Sequence, residues 1–188
     1  MKVGNRVELT LEKLALGGEA IGRTPDGIVV FVKGGVPGDR AIVEIVKRKR
    51  QYIAGKIVEL LEPSTLRIPP RCEYFGRCGG CKWQFLSYEK QLYFKQQQVA
   101  ETLEHIGKLQ NIQVNDILGM EDPWYYRNKM EFSFHQDTEA HHPDGAHHPD
   151  GAHHPDGGGL LLGQHVAGHW NRVVDLQNCY LQSERSVD

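Results

Sequence analysis

No run of 18 apolar residues occurs in this 188-residue sequence, so no helical membrane span is expected. Met1 to Leu14 alternates charged and apolar side chains without an apolar block, so no secretory signal is expected either. A cytoplasmic location follows as the expectation, and with it reduced thiols rather than disulfides. Cysteine is scarce, with four residues in the whole chain. Neither sign of charge dominates, the formal net charge being −2. The balance is uneven, however. Residues 1–61 carry 11 Lys and Arg against 7 Asp and Glu, whereas residues 140–188 carry 2 against 6. The first segment is therefore the one suited to a polyanion. Hydrophobic residues at 39% and charged residues at 24% fit one domain or two small ones with modest cores.

The few cysteines are concentrated. Cys72, Cys78 and Cys81 fall within ten residues, spaced C-x5-C-x2-C, and Cys179 lies far downstream. Thiolates this crowded suit a metal or an iron–sulfur cluster, three close ligands wrapping one side and a distant fourth closing it. Gly76, Gly79 and Gly80 let the backbone turn tightly around the sulfurs. Zinc sites usually come as two close pairs. One C-x2-C pair, an x5 arm and a lone cysteine favour a cluster and leave zinc open.

Residues 5–62 read as about five short strands. Val7, Leu9 and Leu11 alternate with Glu8, Thr10 and Glu12, the period of a half-buried strand. Further strands are expected over Ala20–Arg23, Ile28–Val32, Ala41–Val46 and Ile53–Leu61, separated by Gly17-Gly18, Pro25-Asp26-Gly27 and the loop from Gly34 to Gly38. Short strands with glycine-rich turns and no helix predict a small closed barrel, which leaves no free edges. Lys47, Arg48, Lys49 and Arg50, followed by Tyr52, read as a phosphate-binding and stacking surface or as a charged hairpin tip.

Arg67 to Pro70 is an extended connector into the cysteine loop. Trp83 and Phe85 follow as aromatic cover for a cluster. Ser87 predicts the N-cap of a helix from Tyr88 to about Ile106, with Leu92, Val99, Leu103 and Ile106 on one apolar face and Gly107 as C-cap. Met130, Phe132 and Phe134 alternate with polar residues and predict a strand with one buried face. Arg127, just before it, is a candidate RNA contact.

Residues 140–157 are three copies of Ala-His-His-Pro-Asp-Gly, holding six of the ten histidines. A His-rich tract can bind metal. Without groups to orient the rings, an expanded loop is the favoured reading. Leu160–His165 and Arg172–Leu176 read as two more strands. With the strand from Met130 they would form a small antiparallel sheet that carries Cys179 back towards the cysteine loop. The repeats then sit in an overgrown hairpin loop. Gln182 to Asp188 reads as the start of a linker.

These residues together resemble a known family, the RNA 5-methyluridine methyltransferases, in particular the iron–sulfur-containing 23S rRNA uracil-C5 enzymes. Gly17-Gly18, Gly22-Arg23, Gly27, Phe31-Val32 and Val36-Pro37-Gly38-Asp39 resemble the TRAM domain, an OB-like RNA-binding barrel. The stretches from Arg67 to Cys72 and from Cys78 to Gln84 look like the family's cluster loop. Tyr125 to Lys129 and Val173 to Cys179 look like its central domain.

The resemblance implies a mainly β chain with an α+β second part. The TRAM barrel would occupy residues 1–62. The cluster loop, one helix and a small antiparallel sheet would occupy residues 63–188. It implies a 4Fe-4S cluster on Cys72, Cys78, Cys81 and Cys179, placed ahead of zinc, and RNA as partner, most specifically 23S rRNA, bound by a monomer. In the family, S-adenosylmethionine supplies the methyl group within a Rossmann-like domain, and a cysteine there adds to uracil. No Gly-rich strand-to-helix fingerprint of that domain is present. All four cysteines are taken by the cluster, so no catalytic or S-adenosylmethionine-binding residue is assigned. The expectation is an N-terminal part, inactive alone.

Three rivals stand beside it. One is a stand-alone, non-enzymatic RNA-binding iron–sulfur or zinc protein. Another is a radical S-adenosylmethionine methylthiotransferase, which uses C-x3-C-x2-C and carries its TRAM module last. The third is the tRNA-specific relative, which generally lacks module and cluster.

Overall fold

The computed structural model describes residues 1–50, 52–136 and 160–183. The repeats at 140–157 and most of the expected linker, residues 184–188, lie outside the described residues. The chain divides into two compact units. One comprises Met1–Arg71 and Lys82–Pro123, the other Cys72–Cys81 and Trp124–Asp188.

The first unit is built on five strands, β1 (Arg6–Leu14), β2 (Ala20–Arg23), β3 (Val29–Lys33), β4 (Arg40–Arg48) and β5 (Ile53–Glu62). They close into a barrel in the order β1-β2-β3-β5-β4, with β4 returning to β1. All pairs are antiparallel except β3 with β5. The expected five strands and closure are thus observed. Alternation makes the core: Leu9, Leu11, Val30, Val32, Val43, Ile45 and Ile53 point inward and are buried. The interior is narrow. A Cβ on Gly55 would stand 2.4 Å from Val43 Cγ1, so only glycine passes there.

The same unit carries helix α1 (Tyr88–Glu101), which runs into a π-helical turn over Thr102–Ile106. The Ser87 hydroxyl accepts from the Lys90 amide at 3.3 Å, the expected N-cap. Gly107 is the C-cap, as expected, at φ −70, and Lys108 after it is left-handed at φ 56. The expected apolar face, however, is not buried: Val99 is 50% and Ile106 72% exposed. Leu103 lines an open cleft of about 420 Å3 with Leu109, Ile112 and Val114, and polar groups tie the helix to the barrel instead. Gln98 Nε2 donates to the Leu14 and Ala15 carbonyls, and Lys13 pairs with Glu101 at 3.0 Å. Trp83 and Phe85 also find partners in this unit. Trp83 Nε1 donates to the Gly18 carbonyl at 3.3 Å, and Phe85 is buried beneath the Arg67 guanidinium.

The second unit holds a three-stranded antiparallel sheet, β6 (Ser133–Gln136), β7 (Leu160–His165) and β8 (Val173–Asp175). Gln136 stands opposite Leu160, so the strands flanking the repeats do pair. The expected strand from Met130 begins only at Ser133, and Phe134 is 70% exposed. Phe134 lies opposite Leu162 at the β6 edge of a face whose buried residue, Val174, is on the far strand β8, while Leu161 and Val173 are buried on the other face. Gln182, read as linker, is buried and bridges to Arg127.

Candidate cysteine centre and nucleic-acid interface

In the second unit the cysteine loop lies along the β7–β8 hairpin. Cys78 bridges to Val166, the Ala167 amide donates to the Arg77 carbonyl at 2.8 Å, and the Gly79 amide donates to the His165 carbonyl at 2.9 Å. A Cβ on Gly79 would stand 3.0 Å from that same carbonyl oxygen, which accounts for the glycine. After β8 the chain passes the Tyr74 hydroxyl, which accepts from the Gln177 amide at 3.3 Å, and then reaches Cys179. The sheet and the loop are therefore joined on both sides of the hairpin.

None of the four cysteines is in a disulfide, and all are half-buried. Burial pushes the Cys72 thiol up. The Tyr74 amide opposes this, and the charges of Cys81 and Cys179 push it up further. Burial likewise raises Cys78, with the Gly80 amide at 3.3 Å opposing it, Cys72 and Cys179 adding to the rise, and Arg127 lowering it. The sulfurs of Cys72 and Cys78 thus each feel Cys179, the one cysteine outside the loop. Among the described residues, no group of three or more His, Cys, Asp or Glu is arranged to hold a metal ion.

Arg127 is held by its backbone, whose amide donates to the Leu181 carbonyl at 2.7 Å. Its side chain reaches Met130 Sδ at 3.3 Å and acts on Cys78. The expectation from sequence was an RNA contact; the structure adds a cation beside the thiols.

The basic run lies in the first unit. Lys47 and Arg48 end β4, Lys49 and Arg50 belong to the β4–β5 hairpin, and all four are exposed. The Lys49 amide donates to the Tyr52 carbonyl at 2.9 Å, and Lys49 Nζ stands 5.9 Å from the Tyr52 ring centre. Arg48 Nη1 donates to the Met1 carbonyl. Tyr52 meets Phe31 edge-on, with ring centres 6.1 Å apart. Phe31 was not singled out as a site residue from sequence. Its signal was the alternation itself, because Val30 and Val32 on either side point into the core.

Residues 1–58 match the TRAM domain. The TRAM match covers the whole barrel except the end of β5. Over most of its length the chain is also similar to proteins named as uncharacterized RNA methyltransferases. The one from Porphyromonas gingivalis is 38% identical over 95% of this chain and 38% of its own length. The one from Caldanaerobacter subterraneus is 46% identical over 70% of this chain and 29% of its own. The chain spans between 28% and 38% of the length of these curated relatives. Among solved structures, the tRNA (uracil-54, C5)-methyltransferase of Pyrococcus abyssi, in complex with S-adenosyl-L-homocysteine, has a TM-score of 0.56. It is 21% identical and is covered over 34% of its length by 96% of this chain, a likeness of fold.

Proposed function

We propose that this chain is the RNA-recognition and cluster-bearing part of an S-adenosylmethionine-dependent RNA uracil-C5 methyltransferase that modifies 23S rRNA. One observation carries the reading: the loop of Cys72, Cys78 and Cys81 is hydrogen-bonded to the β7–β8 hairpin that leads to Cys179, in a chain that also holds a TRAM barrel. The methyltransferase names of the relatives support the enzyme class. The fold shared with a uracil-C5 enzyme seen with S-adenosyl-L-homocysteine supports the base and the methyl donor. The sequence resemblance supports 23S rRNA as the target. The likeness to a tRNA enzyme makes tRNA the alternative substrate.

The donor set suits a 4Fe-4S cluster. Burial, then neighbouring cysteines, raises the Cys72 and Cys78 thiols, and binding as thiolates to iron would offset that cost. The Tyr74 and Gly80 amides donate to the sulfurs of Cys72 and Cys78, which favours the thiolate form. The cluster would supply a cross-link between the loop and the end of the sheet, across 97 intervening residues from Cys81 to Cys179. No residue of this chain is given a bond-making role. Methyl transfer is assigned to the further length of the relatives, and the barrel's OB-like use is to hold RNA.

Anaerobically prepared protein should be brown and carry about four irons and matching sulfide per chain, as four thiolate ligands imply. Cys179→Ser should lower iron content and speed oxidative bleaching. One zinc without sulfide would overturn the cluster. Equal binding of unmodified 23S rRNA fragments and unrelated RNA would overturn the rRNA assignment, and preference for tRNA would favour the alternative.

A further inference from the structure

The barrel's register brings together outward-facing residues that are far apart in sequence. Ile21 pairs with Phe31, Phe31 with Ala54, and Ala54 with Lys47, so these four form one row across β2, β3, β5 and β4. The row is on the outside because its strand neighbours Val30, Val32 and Ile53 are core residues. Two residues along, Lys33 pairs with Lys56 and Lys56 with Glu44 in a second outer row. Tyr52, at the start of the hairpin return, sets its ring against Phe31 at 90°. Lys49 lies over the Tyr52 ring.

We infer that this outer face is a stacking platform for unpaired RNA bases, with Phe31 and Tyr52 as its two rings and Lys33, Lys47, Lys49 and Lys56 along the phosphate path. This rests on the RNA reading above and narrows it to single-stranded RNA. An aromatic ring offers a nucleobase a flat apolar surface without sequence preference. Duplex bases are already stacked on one another, so only unpaired ones can use such rings. Ala54 beside Phe31 is small and leaves room for a base. Lys33 and Lys56 stand side by side across the β3–β5 pair and set two positive charges two residues from the rings. Glu44 pairs with Lys56 at 3.4 Å and with Arg6 at 3.7 Å. The other lysines border the rings on the hairpin side. A row of aliphatic residues would serve the barrel equally well, since neither ring enters its core.

The test uses the full chain with a fluorescent eight-uridine strand and a duplex of equal length. Phe31→Leu and Tyr52→Leu keep apolar bulk and remove the rings. Each should weaken single-strand binding by about tenfold while leaving the salt slope unchanged, since every phosphate keeps its lysine or arginine. Duplex binding should be unaffected by either. Lys33→Ala with Lys56→Ala should instead flatten the salt slope. Melting curves keep every measurement below the unfolding transition, and Tyr52→Leu, at the hairpin, tests the idea even where Phe31→Leu loosens the barrel. Wild-type chain that binds RNA, with Tyr52→Leu and Phe31→Leu unchanged in affinity, overturns the platform and leaves the RNA reading intact. Equal wild-type affinity for strand and duplex overturns it as well. Wild-type chain that binds no RNA overturns both.

Discussion

Arg67 grips both carboxylate oxygens of Asp39, with Nε 2.8 Å from Oδ1 and Nη2 2.6 Å from Oδ2. Asp39 is fully buried, and the Val36 and Ser64 amides donate to the same carboxylate. The pair thus joins the loop before β4 to the segment that leaves β5. Arg67 also donates to the Gly34 carbonyl. Removing one partner of a buried, hydrogen-bonded ion pair strands the other. Asp39→Ala should therefore lower unfolding free energy by about 3–5 kcal/mol in urea titration. A loss below about 1 kcal/mol, the range of an exposed pair, would show that the network is not energetically coupled.

Gly18 sits at φ +92, and a Cβ there would stand 2.9 Å from Lys82 Cδ. Its carbonyl accepts from Trp83 Nε1, and the Gly17 carbonyl accepts from Lys82 Nζ at 2.7 Å. Gly18→Ala should cost about 1–2 kcal/mol through left-handed strain alone. It should also shift tryptophan emission, because the indole hydrogen bond loosens. Unchanged stability and emission would mean that the turn relaxes freely.

The raised thiols make a pH prediction. Burial, then neighbouring thiolates, hold Cys72 and Cys78 above the ordinary thiol value. In metal-free protein both should alkylate more slowly than a free cysteine at pH 8, with rates that climb further into the alkaline range. Because the folded values are raised, the stability they contribute is present below the unfolded thiol pKa. It is lost as pH rises through the folded values. Metal-free protein should accordingly lose stability above about pH 9, where thiols ionise. Alkylation at the rate of a free thiol would contradict the effect of burial.

Lys47, Arg48, Lys49 and Arg50 are exposed at one hairpin. Changing all four to alanine should weaken binding of an rRNA fragment. The salt slope should fall by about 0.7 for each phosphate of a single strand that is no longer neutralised. Unaltered affinity and slope would remove the run from the RNA surface.

The strands on either side of the repeats already pair, Gln136 with Leu160. Replacing residues 140–157 with a short glycine-containing turn shortens the loop between them. Since closure cost grows only with the logarithm of length, stability should change by about 1 kcal/mol at most, in the stabilising direction. Iron content should not change. A clear loss of iron would give the histidines a structural part.

Local rules in the sequence settled much of this protein. Alternation over Val7 to Leu11 and over Val29 to Lys33 determined which side chains enter the barrel, because a strand's two faces are fixed by its period. Ser87 determined where the helix begins, through a bond to an amide three residues away. The crowding of Cys72, Cys78 and Cys81 was likewise legible by spacing. What depends on neighbours far along the chain was not. Alternation shows that Phe31 points outward but not that Tyr52 and Lys56 stand beside it, because β3 meets β5 only when the barrel closes. The same limit hid the exposure of Phe134, whose period fitted burial but whose strand β6 lies at the edge of the sheet, while Val174 is the buried residue of that face. It misled the reading of Val99 and Ile106 as well, since a helical stripe is buried only if something packs on it, and here polar bonds from Gln98 and Glu101 hold the helix. That the sheet returns the chain towards the cysteine loop was expected from the strand pattern, but the bond from the Gln177 amide to the Tyr74 hydroxyl, across more than a hundred residues, is one that only the folded chain supplies.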